Sequence, residues 1–284
     1  MFRTANLLLL SLFAAGLASA QTLDGRLRKI AQTKTIAVGY RADAMPFSFA
    51  ENNQVAGFTI DLCKRVVTSI ERQLKIQGLQ IKWVPVTLDS RFDAVAKGQA
   101  DMECGASTMT LTRMRQVDFS SVIFVETTGL LVKAASGLRS LSDTSGKRIA
   151  VMAGTTNERA INAQLKRRLI NATVVPFKSR EEAFAALEAD RVDVFASDRL
   201  LLAGAATKSK DQKALALLPE ELSVEPYGIV LPRGDASFRL AVNTGLSQLY
   251  SSGEIVEIFR RWFENLGPPP GIILAAYALG AIPE

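Results

Sequence analysis

The chain has 284 residues, 48% of them hydrophobic, and a formal net charge of +6. That length holds two domains of ordinary size, and the absence of histidine removes Ser-His-Asp and Cys-His catalysis and the commonest zinc and iron ligands. Walker and dinucleotide-binding glycine patterns are missing, and scattered basic residues with 7% aromatics suit the steering of a small anion, not nucleic acid.

Residues 1–20, MFRTANLLLLSLFAAGLASA, read as a signal peptide: Arg3 gives the positive start, 7–17 the apolar core, and Ala18-Ser19-Ala20 the cleavage site. No cysteine follows that site, so the expected product is an unanchored chain secreted to the periplasm. A strand is expected over 34–40, then a loop over 41–49 marked by Pro46. Ile60, Leu62, Val66, Val67, Ile70 and Leu74 repeat at helical spacing over 58–75. A strand over 81–86, a short helix over 91–97 and a strand over 101–104 follow. This alternation predicts a mostly parallel sheet covered by helices.

The same grammar restarts at Gly146. Strands are expected over 147–152, 172–177 and 192–196, with helices over 155–169 and 181–188. Two extended segments, 123–133 and 224–231, bracket this half, and a helical stretch covers 238–263. The apolar run over 271–281 is short and broken by Gly280, too short to span a bilayer. The layout predicts a domain inserted between two crossings: one lobe from 21–126 and 226–284, a second from 127–225. An internal echo supports it, since Ser90-Arg91 and Ser179-Arg180 each open a helix that is followed by an Ala-Asp step and an apolar strand. Ligands of open α/β sheets gather where such helix starts lie.

Three constellations bear on chemistry. The stretch ECGASTMTLTRMRQVDFS sets Ser107, Thr108, Thr110, Thr112, Arg113 and Arg115 close together, either a solvated turn or a seat for an anion. Thr155-Thr156-Asn157-Glu158, after Gly154, fits a capping box, and a helix start of that kind also suits an anion. Asp198 ends an apolar strand and reads either as a helix N-cap or as a carboxylate for an ammonium group. Cys63 and Cys104 are the two cysteines. They form a disulfide in an oxidising compartment or remain buried thiols, and their spacing alone leaves both readings open.

With these residues in view, the chain resembles the periplasmic solute-binding proteins of polar-amino-acid ABC transporters (family 3), especially their glutamate/aspartate-binding branch. The resemblance rests on Val38-Gly39-Tyr40-Arg41, Pro46-Phe47-Ser48, Gly57-Phe58-Thr59-Ile60-Asp61-Leu62 and Glu103 to Thr108. It continues through Arg113, Asp118-Phe119-Ser120, Gly154-Thr155-Thr156, Ser197-Asp198 and Tyr227-Gly228, to about Pro270. It implies a two-lobed, type II periplasmic-binding-protein-like α/β fold that closes about two hinge strands over a ligand in the interlobe cleft.

It further implies a site in which Arg113 takes the ligand α-carboxylate, helped by Thr108 and the N–H groups around Thr156. Asp198 takes the α-ammonium. Arg41, Arg91 and Arg180 face the side-chain carboxylate, and Phe47 or Phe49 packs near its carbon chain. Ala106, Ser107, Gly154 and Thr155 complete the expected lining. Leu88 and Ala106 stand where the branch often has serine, and Arg180 where histidine is familiar, which leaves the choice among acidic ligands open. The expected protein is a monomer without metal or cofactor that delivers an acidic amino acid to the membrane subunits of an ABC permease. The rival readings are a dehydratase of the cyclohexadienyl/prephenate type on the same scaffold, and a ligand sensor uncoupled from transport.

Overall fold

The computed structural model describes residues 23–264 and 267–283; the signal peptide expected over 1–20 lies outside the described residues. From the amino end run α1 (Gly25–Thr33), β1 (Thr35–Arg41), β2 (Asp43–Ala44), β3 (Ser48–Glu51), β4 (Gln54–Ala56) and α2 (Phe58–Gln73). Then come β5 (Gln80–Val86), α3 (Arg91–Ala96), β6 (Met102–Glu103), β7 (Val117–Phe119), β8 (Phe124–Glu126) and β9 (Thr128–Lys133). The next part holds β10 (Arg148–Met152), α4 (Thr156–Arg168), β11 (Thr173–Phe177), α5 (Arg180–Glu188), β12 (Val194–Asp198), α6 (Arg199–Ala206) and β13 (Leu215–Leu217). The chain ends with β14 (Glu225–Tyr227), β15 (Val230–Pro232), α7 (Ala236–Ser252), α8 (Glu254–Phe263) and α9 (Gly271–Gly280).

These strands make two five-stranded sheets, ordered β5-β1-β6-β15-β7 and β11-β10-β12-β9-β13. In each, three parallel strands are followed by one that runs opposite to them, β15 or β9, and then by a fifth antiparallel to that one. Each sheet is packed on both faces by separate apolar clusters, as a helix-covered α/β lobe requires. Between the sheets, β8 and β14 pair antiparallel, with Glu126 opposite Glu225 and Phe124 opposite Tyr227. This is a two-lobed α/β architecture with paired crossings.

The expected helix over 58–75 forms because its apolar residues share one face: Ile60, Leu62, Val66, Val67 and Ile70 are all buried. Its first N–H groups donate to the carbonyls of Pro46 and Phe47, at 2.9 and 3.0 Å. Gly57, at φ +136°, permits that approach, since a Cβ there would collide with the Phe47 carbonyl.

Two expectations are corrected, and a third is given its structure. The loop expected over 41–49 belongs instead to the small sheet β2-β3-β4 of residues 43–56, because short antiparallel pairing satisfies its backbone groups. The stretch over 238–263 is two helices separated at Gly253, which adopts φ +77° and closes α7. The apolar run over 271–281 is a docked helix: α9 buries Ile273 and Tyr277 in the first lobe's core. The Tyr277 and Tyr250 hydroxyls donate to the carbonyls of Ile123 and Val122, at 3.3 and 2.9 Å, beside the start of β8. No helix among the described residues is long and apolar enough to cross a membrane.

Cys63 in α2 and Cys104 after β6 are bridged, with Cα atoms 6.4 Å apart.

Candidate functional site

The internal echo is a geometric one. Arg91 opens α3 and donates from Nε to the Ser107 hydroxyl at 3.1 Å; Arg180 opens α5 and donates from Nη1 to the Ser197 hydroxyl at 2.9 Å. Both guanidiniums and both serines are buried; Ser197 lies near the end of β12 and Ser107 in the turn that follows β6. The two serines that precede them differ. Ser179 caps its helix by accepting from Glu182 N, whereas Ser90 accepts from Thr87 N.

The stretch after β6 is stitched to the second crossing and reaches the opposite lobe. Gly228 N donates to Ser107 O and Met109 N to Pro226 O. The Thr108 hydroxyl lies 3.3 Å from that of Thr156, at the start of α4. Arg113 is half-buried and donates from Nη1 to the Thr108 carbonyl at 2.6 Å. The guanidiniums of Arg91 and Arg113 share the Phe92 ring, 4.2 and 5.0 Å from its centroid. Burial, then the charges of Arg113 and Arg41, pull Arg91 down to about 9. Burial, then the charge of Arg159 on α4, pulls Arg113 down as well. These cations are poised to gain from an anion.

At the other lobe, Thr155 accepts from Glu158 N at 3.1 Å, as a capping box requires. Glu158 reaches back to Gly154 N at 2.8 Å, not to the N-cap residue itself, whose N–H goes to Met152 O. Gly154 is exposed while Thr155 is buried. Asp198 occupies the N-cap position of α6, but its carboxylate caps no helix N–H. It accepts from Asn157 Nδ2 at 3.1 Å, which removes the plain N-cap reading. The Glu126 carboxylate does that capping, accepting from Leu200 N at 2.7 Å.

Two expected site residues are elsewhere engaged. Phe47 is fully buried among Phe58, Phe124, Tyr227 and Phe263, so it is core and does not line the cleft. Arg41 is buried and held in a two-point pair by Asp43, with Nε–Oδ1 and Nη2–Oδ2 both 2.7 Å. Burial works to raise the Asp43 carboxyl, and the Arg41 guanidinium outweighs it and holds it below its usual range. Phe49 packs edge-on against Trp262 and lines a cavity of about 540 Å³ between the β2-β3 hairpin and α5-α6. Asp43, Arg180 and Phe184 share that wall. Ala106 is half-buried against the first lobe's core, and Leu88 packs against the second lobe's cluster.

Sequence reading set four arginines against Asp198 alone, and it missed the other carboxylates. Glu103 is buried beneath Gly105 and accepts from the Ser107 hydroxyl at 2.9 Å, so Arg91, Ser107 and Glu103 form a chain. Its carboxyl is pushed up by burial, against the pull of Arg91, Ser107 and Arg41. Glu126 and Glu225 are buried near Asp198. A glutamate inside an otherwise apolar strand is costly, and that cost was the available signal. Even so, among the described residues no carboxylate forms an ion pair with Arg91, Arg113 or Arg180.

Comparison with known proteins agrees with this geometry. Residues 36–265 match the family model described as bacterial extracellular solute-binding proteins, family 3. The L-glutamate/L-aspartate-binding protein of Pseudomonas aeruginosa is 34% identical over 257 residues, covering 90% of this chain and 85% of the relative. The glutamate/aspartate import solute-binding protein of Salmonella typhimurium is 32% identical over 264 residues, covering 91% and 87%. Among solved structures, an ancestral amino acid-binding protein, a precursor of cyclohexadienyl dehydratase, aligns at TM-score 0.72 with 29% identity. That alignment covers 84% of this chain and 100% of the ancestral one.

Proposed function

Because the chain belongs to the bacterial extracellular solute-binding proteins, family 3, we propose that it captures an acidic amino acid, glutamate or aspartate, in the interlobe cleft. It then delivers that ligand to the membrane subunits of an ABC importer. The observation that carries the acidic ligand is the set of buried or half-buried guanidiniums, Arg91, Arg113 and Arg180, none with a carboxylate ion pair among the described residues. Cations held out of water in this way are stabilised by an incoming carboxylate. The relatives named for glutamate and aspartate support the same class.

In this reading Arg113, Thr108 and the N–H groups at Thr155 and Thr156 hold the α-carboxylate, and Asp198 holds the ammonium. Arg91 and Arg180 face the side-chain carboxylate, with Ser107 fixing Arg91; Ala106, Phe49 and Gly154 lie at the margins. Arg41, already paired with Asp43, shapes the wall and contributes less charge. The lobes divide at 126/127 and 225/226, so that β8 and β14 are the hinge. The protein works as a periplasmic monomer, with 1–20 as its leader. The dehydratase reading finds less support, since the named relatives above 30% identity are transport proteins.

A thermal-shift and calorimetric screen of the twenty amino acids and small dicarboxylates tests this. Glutamate or aspartate should stabilise the protein most; a larger shift with lysine or arginine overturns the acidic assignment.

A further inference from the structure

Asp198 at the end of β12, Glu126 at the end of β8 and Glu225 at the start of β14 are 6%, 5% and 2% exposed. Glu126 and Glu225 stand opposite one another in the hinge register. Glu126 accepts from Leu200 N, two residues beyond Asp198. A hydrogen-bonded chain joins the other two. Asn157 Nδ2 donates to Asp198 at 3.1 Å and to Thr128 Oγ1 at 2.8 Å; Thr128 Oγ1 lies 2.8 Å from Ser223 Oγ, which donates to Glu225 Oε1 at 2.7 Å. Glu225 Oε2 is buried and has no hydrogen-bond partner among the described residues, while the buried Tyr227 hydroxyl faces Asp198. A buried carboxylate oxygen without a partner calls for an explanation, and a group that it is placed to receive is one.

The surrounding cations offset this group only in part: Arg180 draws on Asp198 and Arg199 on Glu126, without pairing with either. Arg180 on α5 donates to Ser197, Arg113 on the turn after β6 donates to Thr108 O, and Arg199 on α6 donates to Glu220 O at 3.3 Å. None forms an ion pair with the three carboxylates among the described residues, and Tyr227 on β14 adds no positive charge. Three buried carboxylates cannot all stay ionised cheaply in such surroundings.

We propose that the closed arrangement, when empty, keeps a proton on Asp198 or Glu126 beside Glu225, and that the ligand's ammonium group takes the place of that proton. Glu225 is thereby a second seat for the ammonium beside Asp198, and Glu126 holds the field behind them. Burial first, then the charge of Glu225, lifts Asp198 to about 6; burial first, then the charge of Asp198, lifts Glu126 to about 8. Asp198 and Glu126 titrate as one coupled pair, each raised by the other's or Glu225's charge. Because both groups lie above their ordinary range and an ammonium favours the ionised form, binding expels a proton. Affinity therefore falls as pH drops through about 8, where Glu126 takes up its proton, and further through about 6, where Asp198 does, by up to about tenfold per pH unit for each proton, and it levels off above about 8.

The inference rests on the reading of Asp198 as the ammonium seat, and one set of measurements separates the two. L-Glutamate and L-glutamine are titrated calorimetrically at pH 7 in buffers of different ionisation enthalpy, with the natural protein, Glu225→Gln and Glu126→Gln. Carboxyl carbon NMR follows the ligand-free protein against pH. The expected result is a buffer-dependent heat that reports proton release, reduced in both variants, and Asp198 and Glu126 carboxyls that titrate above the ordinary range. If glutamate fails but glutamine binds with proton release, the acidic-ligand reading falls and this one stands. Tight binding with no buffer dependence, or Asp198 and Glu126 both titrating near 4 in the empty protein, overturns it. Failure of every amino acid to bind overturns both.

Discussion

The Thr108 and Thr156 hydroxyls stand 3.3 Å apart, one from each lobe, so the lobes meet across the cleft. A second contact lies on the far side, where α6 runs against the β2-β3 hairpin. A Cβ on Gly204 would collide with the Met45 carbonyl, and Thr207 Oγ1 faces the Met45 sulfur at 4.0 Å. The closed arrangement is therefore set by close backbone approach as well as by hydroxyls.

Gly204→Ala should wedge the lobes apart. Alanine suits a helix interior better than glycine by about 1 kcal/mol, so the ligand-free protein should melt at the same temperature or slightly higher. Affinity should fall about tenfold or more for glutamate and glutamine alike, because the binding-competent closed form becomes rarer. Unchanged affinity with intact folding would show that closure does not bring these surfaces together.

The arginines should divide by ligand. Arg113→Ala should weaken glutamate and glutamine by a similar factor, on the order of 10² for loss of a charge-assisted pair. Arg91→Ala and Arg180→Ala should weaken glutamate selectively. Calorimetric titration of each variant with both ligands measures this, and equal losses for both ligands in the second pair would reassign Arg91 and Arg180.

Asp43→Asn should release Arg41. The Asp43 side chain is 47% exposed, so the pair contributes about 1 kcal/mol and the free protein should melt only slightly lower. Glutamate should then raise the melting temperature more than it does in the natural protein, since a third cation, beside Arg91 and Arg180, becomes available to its side-chain carboxylate. A smaller ligand-induced shift would mean that Asp43 orients Arg41 for binding.

The disulfide ties α2 to the strand that leads into Gly105–Thr108, across a separation of 41 residues. The chain-entropy account assigns such a loop about 4 kcal/mol. Thermal unfolding with and without reductant should therefore differ by many degrees, and a Cys63→Ala variant should match the reduced protein. Coincident curves would contradict this.

Much of the fold was legible because period and punctuation agreed. The expected strand over 34–40 became Thr35–Arg41, and the expected helix over 91–97 became Arg91–Ala96, so both helix-opening arginines could be named. Other features depend on partners distant in sequence. Phe47 sits in a loop-like stretch, yet four aromatic rings from across the first lobe enclose it. Asp198 looked like a helix cap until Glu126, 72 positions earlier, proved to hold that N–H. The sheet over 42–56 has strands of only two to four residues, too short for alternation to register.

The strand β15 lies between β6 and β7, although it follows the whole second lobe in the chain. A polypeptide made from its amino end therefore has β6 and β7 long before the strand that joins them. The second sheet takes all five of its strands from an unbroken run, β9 to β13, and can close by itself. During synthesis the inserted half is complete first, and the earlier half waits with two strand edges unpaired until residues 230–232 appear. For an exported chain that delay is an interval in which the first half stays unfolded enough to be threaded, and also the interval in which its edges are most exposed to wrong pairing.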